Sequence, residues 1–212
     1  GLHFDASMLE RLAVRGVTLA SVRLHVGPGT FKPPSDEQLV SGRLHPEVFH
    51  LPAATGAAVA GCRARGGRVI AVGTTSLRVL ATVSALDLPS TPVPGEERRF
   101  PAGGAPPPVF DGVARATAGG WDVRGTTRLF LRPPAAVTCA DGLLTNFHLP
   151  GSSLLMLVAA FGGERPFYHS LVQEIGVGFL FGKDERRPWD LRIFYRFEEL
   201  WAKGELGQSN PF

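Results

Sequence analysis

Residues 141–163 read DGLLTNFHLPGSSLLMLVAAFGG, and three backbones follow one another in them. The apolar run 142–147, which ends in Thr145-Asn146-Phe147, reads as a strand. Phe147-His148-Leu149-Pro150-Gly151 is a polar-tipped turn. Residues 152–161 read as a helix, with Ser152 or Ser153 as N-cap and Gly162-Gly163 as its stop. Strand, loop and helix in that order belong to an α/β fold, where ligands sit in the loops at the C-terminal ends of strands. Asn146 and His148 at such a turn, ahead of an open helix N-terminus, could bind or polarise a small polar ligand. Taken alone, the window is more simply a plain βα corner with His148 exposed.

The same unit recurs upstream. Residues 68–72 (RVIAV) are a short continuous apolar run, the pattern of a buried parallel strand. Gly73-Thr74-Thr75-Ser76 follows at once, then a helix over 77–85. A Gly and three hydroxyl residues at a strand-to-helix turn present bare N–H groups and short donors, and Arg78 adds a cation in the first turn. Such a turn suits a carboxylate, a ribose or a phosphate, and this reading is preferred over a merely well-capped helix. It is neither GxxxxGK[ST] nor GxGxxG.

Further out, 53–65 is an Ala-rich helix stopped by Gly66-Gly67. Residues 44–51 (LHPEVFHL) are extended, which puts His45 and Glu47 on one face. A carboxylate beside an imidazole can tune an acid/base group, but on spacing alone an exposed ion pair is the simpler reading. Residues 17–26 (VTLASVRLHV) alternate as a strand ending at His25, which could serve a ligand or be buried structurally. A helix over 7–15 is capped by Asp5 or Ser7. Residues 87–126, rich in Pro and Gly, are expected to be a loop insertion, and 127–131 a strand.

Composition bounds the class. A chain of 212 residues with 44% hydrophobic and 19% charged residues can bury a sizeable core, as one large domain or two small ones. The net charge of +3 and pI near 9.2 allow a nucleic-acid partner without requiring one. The two cysteines, Cys62 and Cys139, form no CxxC or metal-ligand pattern, so a reduced, cytoplasmic chain is expected. The longest apolar run, 154–161, is too short to cross a bilayer, and no membrane partner is expected.

Six windows together carry a resemblance: GLHF (1–4), LHVGPGTFKP (24–33), LHPE (44–47), RVIAVGTTSLRVL (68–80), TRLFLRPP (127–134) and residues 141–163. In identity, order and spacing they resemble the C-terminal half of the S-adenosylmethionine:tRNA ribosyltransferase-isomerase family of queuosine biosynthesis. The resemblance implies an α/β fold, part of a distorted α/β barrel-like domain. It would lack the family's N-terminal strands and small β-barrel domain. The implied layout is a partial catalytic domain at 1–182, with 87–126 as an insertion, and a divergent tail at 183–212 carrying an amphipathic helix.

The implied reaction moves the ribosyl part of S-adenosylmethionine onto a 7-aminomethyl-7-deazaguanine base in tRNA. Epoxyqueuosine forms, and adenine and methionine leave. S-adenosylmethionine is then a co-substrate, with no bound cofactor and no metal. The implied partner is a tRNA with a GUN-type anticodon, and the intact enzyme is expected to be monomeric. His45, Glu47 and His148 are the implied acid/base groups. Gly73, Thr74, Thr75, Ser76, Arg78, Asn146 and Phe147 are the implied substrate contacts.

Some features depart from the family. Ala81-Thr82 stands where members usually carry a Glu, and the closing YRF-x-S-x-GDAM segment is not recognisable. An inactive or incomplete fragment that at most binds tRNA or an adenosyl ligand is the alternative. An S-adenosylmethionine-dependent methyltransferase is disfavoured by the missing Gly-rich nucleotide loop, and a Ser hydrolase by the missing GxSxG elbow.

Overall fold

The computed structural model describes residues 3–100, 109–146, 148–162 and 179–182. Its elements run α1 (Ala6–Val14), β1 (Arg23–Leu24), a 3-10 turn (Pro28–Phe31), α2 (Asp36–Ser41), β2 (Arg43–Leu51), α3 (Ala53–Ala64), β3 (Ile70–Val72) and α4 (Thr74–Ser84). Then come β4 (Glu97–Phe100), β5 (Phe110–Thr117), β6 (Gly120–Leu129), β7 (Gly142–Thr145), α5 (Ser153–Gly162) and β8 (Phe179–Gly182).

Two sheets result. One is five-stranded and antiparallel, in the order β1-β2-β6-β5-β4. The other is three-stranded, in the order β3-β7-β8, with β3 and β7 parallel and β8 antiparallel to β7. The α/β expectation therefore holds. The parallel βα character is confined to β3–α4 and β7–α5, the two units the sequence marks most clearly.

Each sheet has its own core, and α4 packs into both. Leu77 lies in a cluster with Ala71, Leu143, Leu157 and Phe161. Val79 lies in the other with Phe49, Leu51, Phe110, Ala114 and Val123. Leu80 touches both. One helix thus uses neighbouring faces to join the sheets, and burying these side chains is the main force holding them in register. Asp141 adds a polar clamp: its Oδ2 accepts from the Val69 N–H at 2.8 Å, and its Oδ1 meets Arg63 Nη1 at 3.3 Å. The carboxylate fixes the start of β7 beside β3.

The loop insertion expected at 87–126 is corrected by the structure, because β4, β5 and most of β6 lie in it. Ala118-Gly119 is the two-residue hairpin turn between long strands, and Thr117 pairs with Gly120 across it. Gly112 and Gly125 face each other across the ladder. A Cβ on Gly125 would lie 2.1 Å from Asp111 O, and one on Gly112 would lie 2.2 Å from Arg124 O. Glycine here permits close strand approach and does not mark a break in structure.

The strand expected at 17–26 shrinks to Arg23–Leu24, since only there does β2 offer a pairing partner. His25 is exposed, with its backbone N–H on Val48 O at 2.8 Å, so it is not the buried structural histidine that one of the two readings expects. Phe147, residues 101–108 and the tail 183–212 with its expected amphipathic helix lie outside the described residues. Among the described residues no helix is long and apolar enough to cross a membrane.

Candidate active site

Glu47 is the hub of the site. Its cross-strand partner on β6 is Thr127, whose side chain is fully buried, so the register turns Glu47 inward to 2% exposure. A carboxylate there needs donors, and four supply them. Oε2 accepts from Arg78 Nη1. Oε1 accepts from the Thr30 hydroxyl and from the Gly27 N–H at 3.2 Å, and faces His45 Nε2 at 3.2 Å. The exposed His45–Glu47 pair expected from spacing is corrected: the two do share a face, but Glu47 is buried in a network. The reason is long-range. Arg78 arrives from α4 and Thr30 from the 3-10 turn.

This network fixes the His45 ring. Nε2 lies between two oxygens, Glu47 Oε1 and Thr30 Oγ1, the latter at 3.3 Å. Thr30 already donates its hydroxyl proton to Glu47, so both oxygens are free only to accept, and the partners assign the ring proton to Nε2. Nδ1 is left as the basic nitrogen. It lies against Gly29, where a Cβ would come within 2.9 Å of it. The side chain is 24% exposed, enough to reach a ligand.

Arg78 is directed elsewhere than the sequence implied. It is not aimed at the turn that starts its helix but is 5% exposed, with Nε on Leu129 O at 3.0 Å and Nη1 on Glu47. Burial depresses its affinity for the proton, and Glu47 opposes the effect. Nη2 is buried without a hydrogen-bond partner among the described residues. Thr74, Arg78 and Thr82 follow at spacings of four on α4 and form one buried polar stripe. Thr82 Oγ1 closes the stripe on Thr127 Oγ1 at 2.8 Å.

The second part of the site lies at the ends of β3 and β7. Val72 pairs with Leu144 in parallel register, so the turn after β3 and the loop after β7 emerge side by side. The Gly73 N–H donates to Leu144 O at 2.7 Å. Gly73 caps α4 with φ +86°, a conformation that favours glycine. Thr74 is buried in the first turn, Thr75 is half-buried, and Ser76 spends its hydroxyl on Val72 O at 2.8 Å. Asn146 is half-buried just beyond β7.

His148 Nε2 meets Thr145 Oγ1 at 2.8 Å. Burial, and then the neighbouring His3, hold its imidazole below the ordinary value, so it is neutral at physiological pH. Ser152, not Ser153, is the cap of α5: its hydroxyl accepts from Leu155 N–H at 3.2 Å and donates to Leu149 O at 2.7 Å. α5 also packs against the 3-10 turn that carries Thr30, and so connects the two parts of the site.

A family model described as "Queuosine biosynthesis protein" matches residues 1–182. The chain belongs to the queuosine biosynthesis protein family. The S-adenosylmethionine:tRNA ribosyltransferase-isomerase of Acidithiobacillus ferrooxidans is 42% identical over 181 residues, 85% of this chain and 44% of that protein. The enzyme of the same name from an Anaeromyxobacter species is 44% identical over 165 residues, 78% of this chain and 39% of that one. The crystal structure of S-adenosylmethionine tRNA ribosyltransferase from Thermotoga maritima superposes with a TM-score of 0.51 at 32% identity, covering 79% of this chain and 42% of that chain. The chain spans less than half the length of these relatives.

Within this queuosine biosynthesis family chain, the windows LHVGPGTFKP, LHPE and RVIAVGTTSLRVL converge on Glu47. The sequence marks the windows but not the roles of Gly27, Gly29 and Thr30, which bind or make room for groups far away in the chain. Thr145 was visible only as a strand end. Among the described residues no group of three or more His, Cys, Asp or Glu could hold a metal ion.

Proposed function

We propose that this chain supplies a large share of the active site of an S-adenosylmethionine:tRNA ribosyltransferase-isomerase acting in queuosine biosynthesis in the cytoplasm. On this reading it forms part of a distorted α/β barrel completed by an N-terminal half. The carrying observation is the Arg78–Glu47–His45 relay, which holds a basic nitrogen where three of the family-resembling windows converge. The hydroxyls of Thr74 and Thr75 and the neutral His148 lie along the neighbouring helix and strand ends.

The reaction makes three proton demands. The amine of the deazaguanine base must lose a proton, a proton beside the sulfonium must be removed, and departing adenine must gain one. His45, held through Nε2, presents Nδ1 for a removal or, once protonated, for a delivery. His148, kept neutral by burial, is a second base. Glu47 is a positioning residue for His45, and Arg78 for Glu47. The free Arg78 Nη2 is a donor for one ligand acceptor. The Gly73–Thr75 turn and Asn146 suit the methionine carboxylate or the ribose hydroxyls.

The short span of the chain relative to its relatives favours a second reading, a module that binds the adenosyl donor or tRNA without turnover. Adenine release from S-adenosylmethionine, with tRNA carrying the aminomethyl-deazaguanine, separates the two for the chain alone. Release supports catalysis. S-adenosylhomocysteine in place of adenine contradicts both. Binding without release moves the assignment to the module.

A further inference from the structure

The basic residues look scattered in the sequence, but the strand register sorts them. Arg23 on β1 pairs with His50 on β2, His50 with Arg124 on β6, Arg124 with Val113 on β5, and Val113 with Arg99 on β4. Direct cross-strand partners share a face. These five form one row across the whole antiparallel sheet, on the side opposite Phe49, Leu51, Ala114 and Val123. Strands lie about 4.8 Å apart, so the arginines, on alternate strands, recur roughly every 10 Å. Arg23 is exposed, and the side chains of Arg124 and Arg99 are 62% and 75% exposed.

The row itself contains no carboxylate. The acids stand in the flanking rows. Asp122 meets Arg124 and His50, and Glu97 meets Arg99 and Arg115. On the other side Asp111 meets Arg128. Five arginines against three carboxylates leave the face cationic. Exposed ion pairs of this kind are weak and exchange for stronger partners, and they hold the guanidinium groups in place meanwhile. Arginine suits phosphate oxygens through its planar fork.

We propose that the outer face of this sheet docks an RNA backbone, with Arg23, Arg124 and Arg99 each taking a phosphate. Identifying that RNA as tRNA rests on the function proposed above. An acidic protein partner fits less well. Val48 and Val113 are the only aliphatic side chains among the facing positions named in the register, whereas protein interfaces rely on large apolar or aromatic anchors. Phosphate contacts need none.

The test is binding of fluorescently labelled tRNA to the full chain, followed by anisotropy across a salt series. Replacing Arg23, Arg99 and Arg124 together by Gln should reduce the slope of log affinity against log salt by about 2–3, and weaken low-salt binding at least about tenfold. Arg11→Gln with Arg15→Gln on α1 should leave both nearly unchanged. If the triple variant melts early, Arg23→Gln alone on the edge strand should lower the slope by about 1. An unchanged slope in a folded variant overturns the proposal, as does an equal loss in the α1 control. Polyglutamate competing as well as RNA would replace RNA by an acidic peptide. The readout needs no turnover, so failed adenine release by the chain alone with slope-sensitive RNA binding would move the chain to the binding module and leave this surface standing.

Discussion

At Glu47 a carboxylate that is 2% exposed sits among an arginine, a hydroxyl, a backbone N–H and an imidazole. Breaking such a buried pair strands the other charge, so Glu47→Gln should cost about 3–5 kcal/mol, read by denaturant unfolding. Adding Arg78→Met should recover part of that loss, because no lone guanidinium then remains buried. Purely additive losses would mean that the two side chains do not interact. His148 gives a pH signature. Its folded value lies below the ordinary 6.5, because burial and then His3 disfavour the cation. The stability from keeping it neutral is full above that value and is lost as pH falls through the folded value. His148→Gln should therefore flatten the fall in melting temperature below pH 6.5, and an unchanged acid limb would contradict a depressed His148. At this scale the sequence shows that His45 and Glu47 share a face, since spacing alone dictates it. It does not show that they are buried, because burial depends on Arg78 and Thr30, 31 and 17 residues away.

At the scale of elements, the βα units around β3 and β7 are legible because apolar runs, a capping Ser and stop glycines are local signals. The β5–β6 hairpin is not. Its residues FDGVARAT and GWDVRGTTRL mix glycines and arginines into the strands, and the prolines on either side of β4 imitate a loop. Its glycines answer to a neighbour that only the fold supplies. Gly125→Ala would set a Cβ 2.1 Å from Asp111 O and should destabilise the protein by about 3 kcal/mol or more, seen as an earlier thermal transition. A neutral result would show that the two strands do not approach as closely as described. Gly16, with nothing within 4 Å of an added Cβ, is a control for steric crowding alone.

For the whole molecule, α4 joins two cores and carries the polar stripe of the site on the same eleven residues, so packing and positioning are coupled through one helix. The family was legible from six short windows. The antiparallel sheet that bears Glu47 and the cationic row was not, because cross-strand register is written in no single stretch. The chain spans less than half of its relatives, so the catalytic claim is tested most directly in a complete scaffold. Residues 1–182 would replace the corresponding segment of the Acidithiobacillus ferrooxidans relative, and adenine release from S-adenosylmethionine would be measured with tRNA carrying the aminomethyl-deazaguanine. The chimera should release adenine, and His45→Ala or His148→Ala should each slow release by about 10²–10⁴-fold, the range for loss of an acid/base group. A folded chimera whose two variants turn over within about threefold of the parent would contradict the assignment of this site.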